Sequence, residues 1–77
     1  MQEFHMELSS FQQVQRFVRL AAEQPFEVRV GNDHQRINGK DLMGMFSLDY
    51  SRPVQVIAEC AQELFEEFRH AVECVVN

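Results

Sequence analysis

Long apolar runs are missing from this chain. No stretch approaches the roughly 18 residues that a membrane-spanning helix needs, and the segment MQEFHMELSS at residues 1–10 lacks the apolar core of a secretory signal. Cysteine is scarce. Cys60 and Cys74 are too few and too far apart for a disulfide framework or a zinc site, so a reduced, cytoplasmic protein is expected. Positive charge is short as well: Lys and Arg number 7 against 12 Asp and Glu, a net charge of -5. Such a protein gains nothing from counterion release on DNA or RNA, and nucleic-acid binding is not expected. Ser-His-Asp, Cys-His, P-loop and metal-ligand constellations are also missing. No cofactor or metal is therefore expected.

What is present is ordinary globular material, 45% hydrophobic and 25% charged, which is too apolar for a disordered tail. At 77 residues the chain reads as one domain, 1–77. A fold this short buries only roughly 60–65% of its unfolded surface, so each apolar position matters. The charge is uneven. Residues 1–40 balance five acids against five bases, whereas residues 41–77 set seven acids against Arg52 and Arg69 alone.

Phe4, Met6 and Leu8 alternate with His5 and Glu7, the period of a half-buried strand. Ser10-Phe11-Gln12-Gln13 then has the form of a capping box, and Phe11, Val14, Phe17, Val18 and Ala21 recur at helical spacing until Pro25. Phe26 to Val30 alternates again, Gly31-Asn32-Asp33 is turn chemistry, and His34 to Ile37 returns as a short third strand. Lys40 to Leu48 makes two helical turns. After Pro53, Val54, Val56, Ala58 and Cys60 share one face of a fourth strand. Gln62 to Val76 carries a broad apolar stripe of Leu64, Phe65, Phe68, Ala71, Val72, Val75 and Val76. The order is β-α-β-β-α-β-α. The fold class is α+β, an open-faced sandwich with a four-stranded antiparallel sheet and three helices on one face. Periodicity leaves the strand order open.

The stretch Asn38-Gly39-Lys40-Asp41-Leu42-Met43-Gly44-Met45-Phe46-Ser47-Leu48 resembles the second helix of HPr, the histidine-containing phosphocarrier family of the bacterial sugar phosphotransferase system. The element order fits that family over nearly the whole chain. The resemblance implies a non-catalytic carrier or regulatory protein. Its expected partners are phosphotransferase-system proteins or a transcriptional regulator, with the chain itself a monomer or weak homodimer.

The departures from the family pattern are informative. The resemblance implies an acceptor histidine at the start of the first helix, where free N–H groups and the helix dipole favour a phosphate. Counting back from Phe17-Val18 puts Ser10 at that position, Gln12 at the family's arginine and Gln13 at its proline. The phosphorelay is expected to be lost, with Ser10 serving as a helix cap. Crh-type relatives also lack the histidine. The alternative is an active carrier with His5 as a displaced acceptor; His34 and His70 lie elsewhere. Asp41 replaces the serine that a kinase modifies in some HPr proteins. It reads as a helix N-cap, as a standing phosphoserine mimic, or as both.

Leu42, Met43 and Phe46 match the family's hydrophobic docking patch, followed by Ser47, with Arg16 and Arg19 as a basic border. The same apolar residues would equally serve to cap a small core. Cys60 and Cys74 are expected to be buried or half-buried inert thiols. The acids Glu63, Glu66, Glu67 and Glu73 have the spacing of a solvated helix face.

Overall fold

A computed structural model describes residues 2–76, with side chains placed through Val75. The elements are β1 (Gln2–Met6), α1 (Phe11–Ala22), β2 (Val28–Gly31), β3 (Arg36–Asn38), α2 (Leu42–Phe46), β4 (Val54–Ala58) and α3 (Gln62–Val76). The sheet runs β1-β4-β2-β3 with every neighbour antiparallel. β4 is thus inserted between the first two strands, pairing Phe4 with Val56 on one side and Val30 with Val56 on the other. Among the described residues no helix is long and apolar enough to cross a membrane.

Alternation aims Met6, Val28, Val30, Val54, Val56 and Ala58 at the helices, and all six are buried. From the helical side Val14, Phe17, Val18 and Ala21 of α1 meet Phe65, Phe68 and Val72 of α3. Phe68 is the junction. It is 1% exposed, and its ring lies 6.3 Å from Phe4, 6.0 Å from Phe17 and 5.7 Å from Phe26. On the opposite sheet face Glu3, His5 and Arg29 are exposed, while Ile57, between its cross-strand neighbours Glu3 and Arg29, and Gly31 are buried.

Several boundaries differ from the sequence reading, for local reasons. The Asn32 side-chain oxygen accepts from the His34 and Gln35 amides at 2.8 and 3.0 Å, which takes those N–H groups out of the ladder and delays β3 to Arg36. At Gly31 a Cβ would collide with the Gln35 carbonyl, so the hairpin needs glycine there. The second strand starts at Val28 rather than Phe26, and Phe26 instead packs from the preceding loop against Phe68. Cys60 lies beyond the end of β4 and is half-buried. The second helix is shorter than expected, five residues after Asp41.

The helical stripes are narrower than the sequence suggested. Phe11 is 59% and Leu64 42% exposed, because each sits about 70° from the centre of the buried stripe on its helix. Cys74, about 150° from the α3 stripe, is exposed rather than half-buried. The Val76 side chain, also assigned to that stripe, lies outside the described residues.

Tyr50 fixes α2 from its C-terminal side. Its hydroxyl donates to the Met45 carbonyl, and burial pushes its pKa up to about 12.

Phe68→Ala removes the ring that four segments share and should cost roughly 3–5 kcal/mol in urea unfolding; a loss under about 1 kcal/mol would contradict its central role. Tyr50 is the single tyrosine in a chain without tryptophan, so its phenolate absorbance can be titrated directly. The folded protein should ionise near 12. Because the folded value lies above the ordinary one of about 10, the neutral phenol's contribution to stability is complete below pH 10. It is lost as pH rises towards 12. That added alkaline loss should be absent in Tyr50→Phe.

Candidate docking surface at the start of the first helix

The loop from Leu8 to Ser10 turns the chain from β1 into α1 in four residues, Glu7 included. Ser10 is the N-cap: its backbone is extended (φ -143, ψ 155), and its hydroxyl accepts from the Gln13 amide at 3.2 Å. The reciprocal half of the capping box has moved upstream. Gln13 Oε1 accepts from the Ser9 amide at 2.7 Å and the Ser9 hydroxyl at 3.2 Å. Gln12 is exposed on the first turn of α1.

Asp41 occupies the N-cap position of α2 but makes no side-chain cap hydrogen bond, in contrast to the capping read from the sequence. Its backbone does the closing work, with the Met45 amide donating to its carbonyl at 2.9 Å. The carboxylate lies over Gly44, where a Cβ would meet Oδ2 at 3.1 Å. Ser47 closes the other end, donating to the Gly44 carbonyl at 2.6 Å while accepting from Gln35 Nε2 at 3.3 Å.

α1 and α2 come together through their apolar residues. Phe11 stacks on Phe46 with ring centroids 4.6 Å apart and planes 14° from parallel. Both rings remain exposed, Met43 is 77% exposed, and Leu42 is half-buried against the core. Only Met45 of this helix is fully buried. A groove of about 310 Å³ runs beside the stack, lined by Leu8, Ser9, Ser10, Val14 and Tyr50. Arg16 and Arg19 are exposed on α1. Sequence reasoning placed Phe11 in the core and so missed the stack. Its angular offset from Val14, Phe17 and Ala21 was the available signal.

The histidines lie elsewhere. His5 is exposed on the outward sheet face opposite Gln55, and His34 sits in the Asn32 turn. His70 is on α3, with Nδ1 3.8 Å from Cys74 Sγ. Burial pushes the Cys60 thiol pKa up, which suits an unreactive thiol. The acids Glu66 and Glu73 pair with Arg69 at 3.5 and 3.8 Å on the solvated side of α3.

No protein-family model matches this sequence, and no curated protein does. Solved structures do. HPr from Thermoanaerobacter tengcongensis superposes with a TM-score of 0.77 at 26% identity, over 99% of this chain and 91% of that one. A phosphocarrier protein HPr from Bacillus anthracis gives 0.73 at 18% identity, over 99% and 96%. The Bacillus subtilis catabolite repression protein Crh, solved as a swapped, intertwined dimer, gives 0.66 at 25% identity, over 92% and 86%. In sheet order, helix placement and near-complete coverage, this chain has the fold of the HPr phosphocarrier proteins.

Proposed function

We infer that this chain is an HPr-like regulatory binding module that does not carry phosphate on histidine. Ser10 carries the reading. At the helix N-terminus where the family resemblance implies an acceptor histidine, there is a serine hydroxyl already engaged with the Gln13 amide. The resemblance also implies an arginine nearby, and Gln12 stands there without a charge to offer a phosphoryl group. His5 on the outward sheet face, buttressed by alternation with the inward Phe4 and Met6, supports this reading over a displaced acceptor.

The patch of Leu42, Met43 and Phe46, enlarged by Phe11, is the surface on which a partner docks in this reading. Exposed rings next to a flexible thioether form an adaptable apolar contact, and in this reading Arg16 and Arg19, exposed on α1, meet an acidic rim of the partner. Asp41 gives the patch a fixed negative charge where the resemblance implies a phosphorylatable serine, about half the charge of a phosphate. The partners are proteins of the sugar phosphotransferase system or a transcriptional regulator, and the setting is the bacterial cytoplasm.

Incubation with phosphoenolpyruvate and the system's first enzyme should leave the intact mass of this protein unchanged while authentic HPr gains a phosphoryl group. An acid-labile adduct on this chain would overturn the reading. In calorimetric titrations against proteins that bind HPr, Phe46→Asp and Phe11→Asp should each weaken binding tenfold or more. Each variant also breaks the Phe11–Phe46 stack and should lose about 0.5–1.5 kcal/mol in urea unfolding, which leaves the fold intact for the titration. Native affinity in both would remove the patch from the interface.

A further inference from the structure

The sheet has two edges, and they are unlike. β3 is three residues long and offers little free backbone, whereas β1 runs for five and has β4 on one side only. An unpaired edge strand presents a row of N–H and C=O groups to any chain that can match it. The order of side chains on β1 decides which chain matches best.

Glu3, His5 and Glu7 are exposed on the outward side, and Phe4 and Met6 face the core. A second copy pairing antiparallel must keep outward residues opposite outward residues, because opposed side chains share a face. Every two-fold register centred on a residue satisfies that rule, and those centred on Glu3, Phe4 and His5 pair three or more residues of β1. Centring on Glu3 sets Glu3 against itself, and centring on His5 sets Glu3 against Glu7 twice; both place like charges in contact. Centring on Phe4 sets each Glu3 against the other copy's His5, Gln2 against Met6, and Phe4 against Phe4. Of these three it alone is complementary, and it alone pairs β1 over its full length. A carboxylate accepts from an imidazole N–H whether the ring is neutral or charged. One Glu3 oxygen accepts from Gln55 Nε2 of β4 at 2.8 Å, so a bond across the free edge falls to the carboxylate's other oxygen.

We propose that β1 is a self-complementary edge through which two copies of this chain pair antiparallel, centred on Phe4, into one continuous eight-stranded sheet. The interaction is isologous, each copy contributing the same donor and acceptor, so it closes at two. Each β1 keeps its own β4 partner. This separates the assembly from the swapped, intertwined dimer of Crh, in which an element changes protomer. It is also independent of the docking patch on α1 and α2.

Sedimentation equilibrium from about 10 μM to 1 mM tests the idea. The native chain should shift from monomer to dimer across that range. His5→Lys should tighten the dimer about fivefold, since two cross-strand pairs gain a full charge. His5→Glu should weaken it tenfold or more, and the exchanged pair Glu3→Lys with His5→Glu, which again opposes unlike charges in both pairs, should restore the dimer to at least native affinity. Both positions are solvent-exposed, so circular dichroism and urea midpoints should stay near native and exclude misfolding. A chain that stays monomeric at 1 mM overturns the proposal. So does a dimer indifferent to the charge exchange. Mixing isotopically labelled and unlabelled dimers provides a third check. Subunits joined edge to edge should exchange within seconds, and exchange as slow as global unfolding would show swapping instead.

Discussion

The packing of Phe68 against three other aromatic rings is the contact on which the rest of this fold depends. Phe4 comes from β1, Phe17 from α1 and Phe26 from the loop before β2, so one side chain of α3 ties together segments from the first third of the chain. Edge-to-face geometry suits such a cluster, since each ring places positive hydrogens against a neighbour's negative face. A chain of 77 residues has little other apolar volume with which to hold α3 on the sheet. The central place of β4 follows the same economy: Val54, Val56 and Ala58 are fully buried because strands flank β4 on both sides and helices cover it.

That core explains why an apolar patch remains outside it. α1 buries Val14, Phe17, Val18 and Ala21, and the first residue of the helix, Phe11, is rotated away from them. α2 is only five residues long and inserts Met45. Phe11 and Phe46 cover each other's faces but leave their edges in water. The patch is a residue of geometry, left where a short helix meets the N-terminus of another and only Met45 of the short one is buried. Tyr50, bonded to the Met45 carbonyl, holds α2 in place beside the groove. A rigidly held apolar surface loses little conformational entropy when a partner covers it.

Periodicity was enough to give the element order, the bounds of α3 and the inward faces of β1, β2 and β4, because periods of 2.0 and 3.6 report burial directly. It could not give the order β1-β4-β2-β3, since pairing is decided between segments and not within them. The missed boundaries have local causes. The Asn32 side chain competes with the ladder for two amides, and no hydrophobic pattern records that competition. At the candidate site, the Ser10 cap was legible from Ser-Phe-Gln-Gln, whereas its displaced reciprocal bond to Ser9 was not. Phe11 and Leu64 were misread for one shared reason: an apolar residue 70° off a helix stripe still looks periodic in a linear reading. Ile57 was missed for the converse reason, being buried on a face that alternation assigns to water.

Ser10 and Asp41 stand at corresponding places, each the residue before a helix, and they use those places differently. Ser10 spends its side chain on a backbone amide, which fixes the first turn of α1. Asp41 leaves the equivalent bond unmade and lays its carboxylate over Gly44. A capping bond would stabilise α2 by about 0.5–2 kcal/mol, so its omission is a real cost in so short a helix. What the carboxylate retains is charge, beside exposed apolar residues of the same helix. Under the function proposed for this chain, a role in recognition accounts for an aspartate there better than the unmade capping bond does.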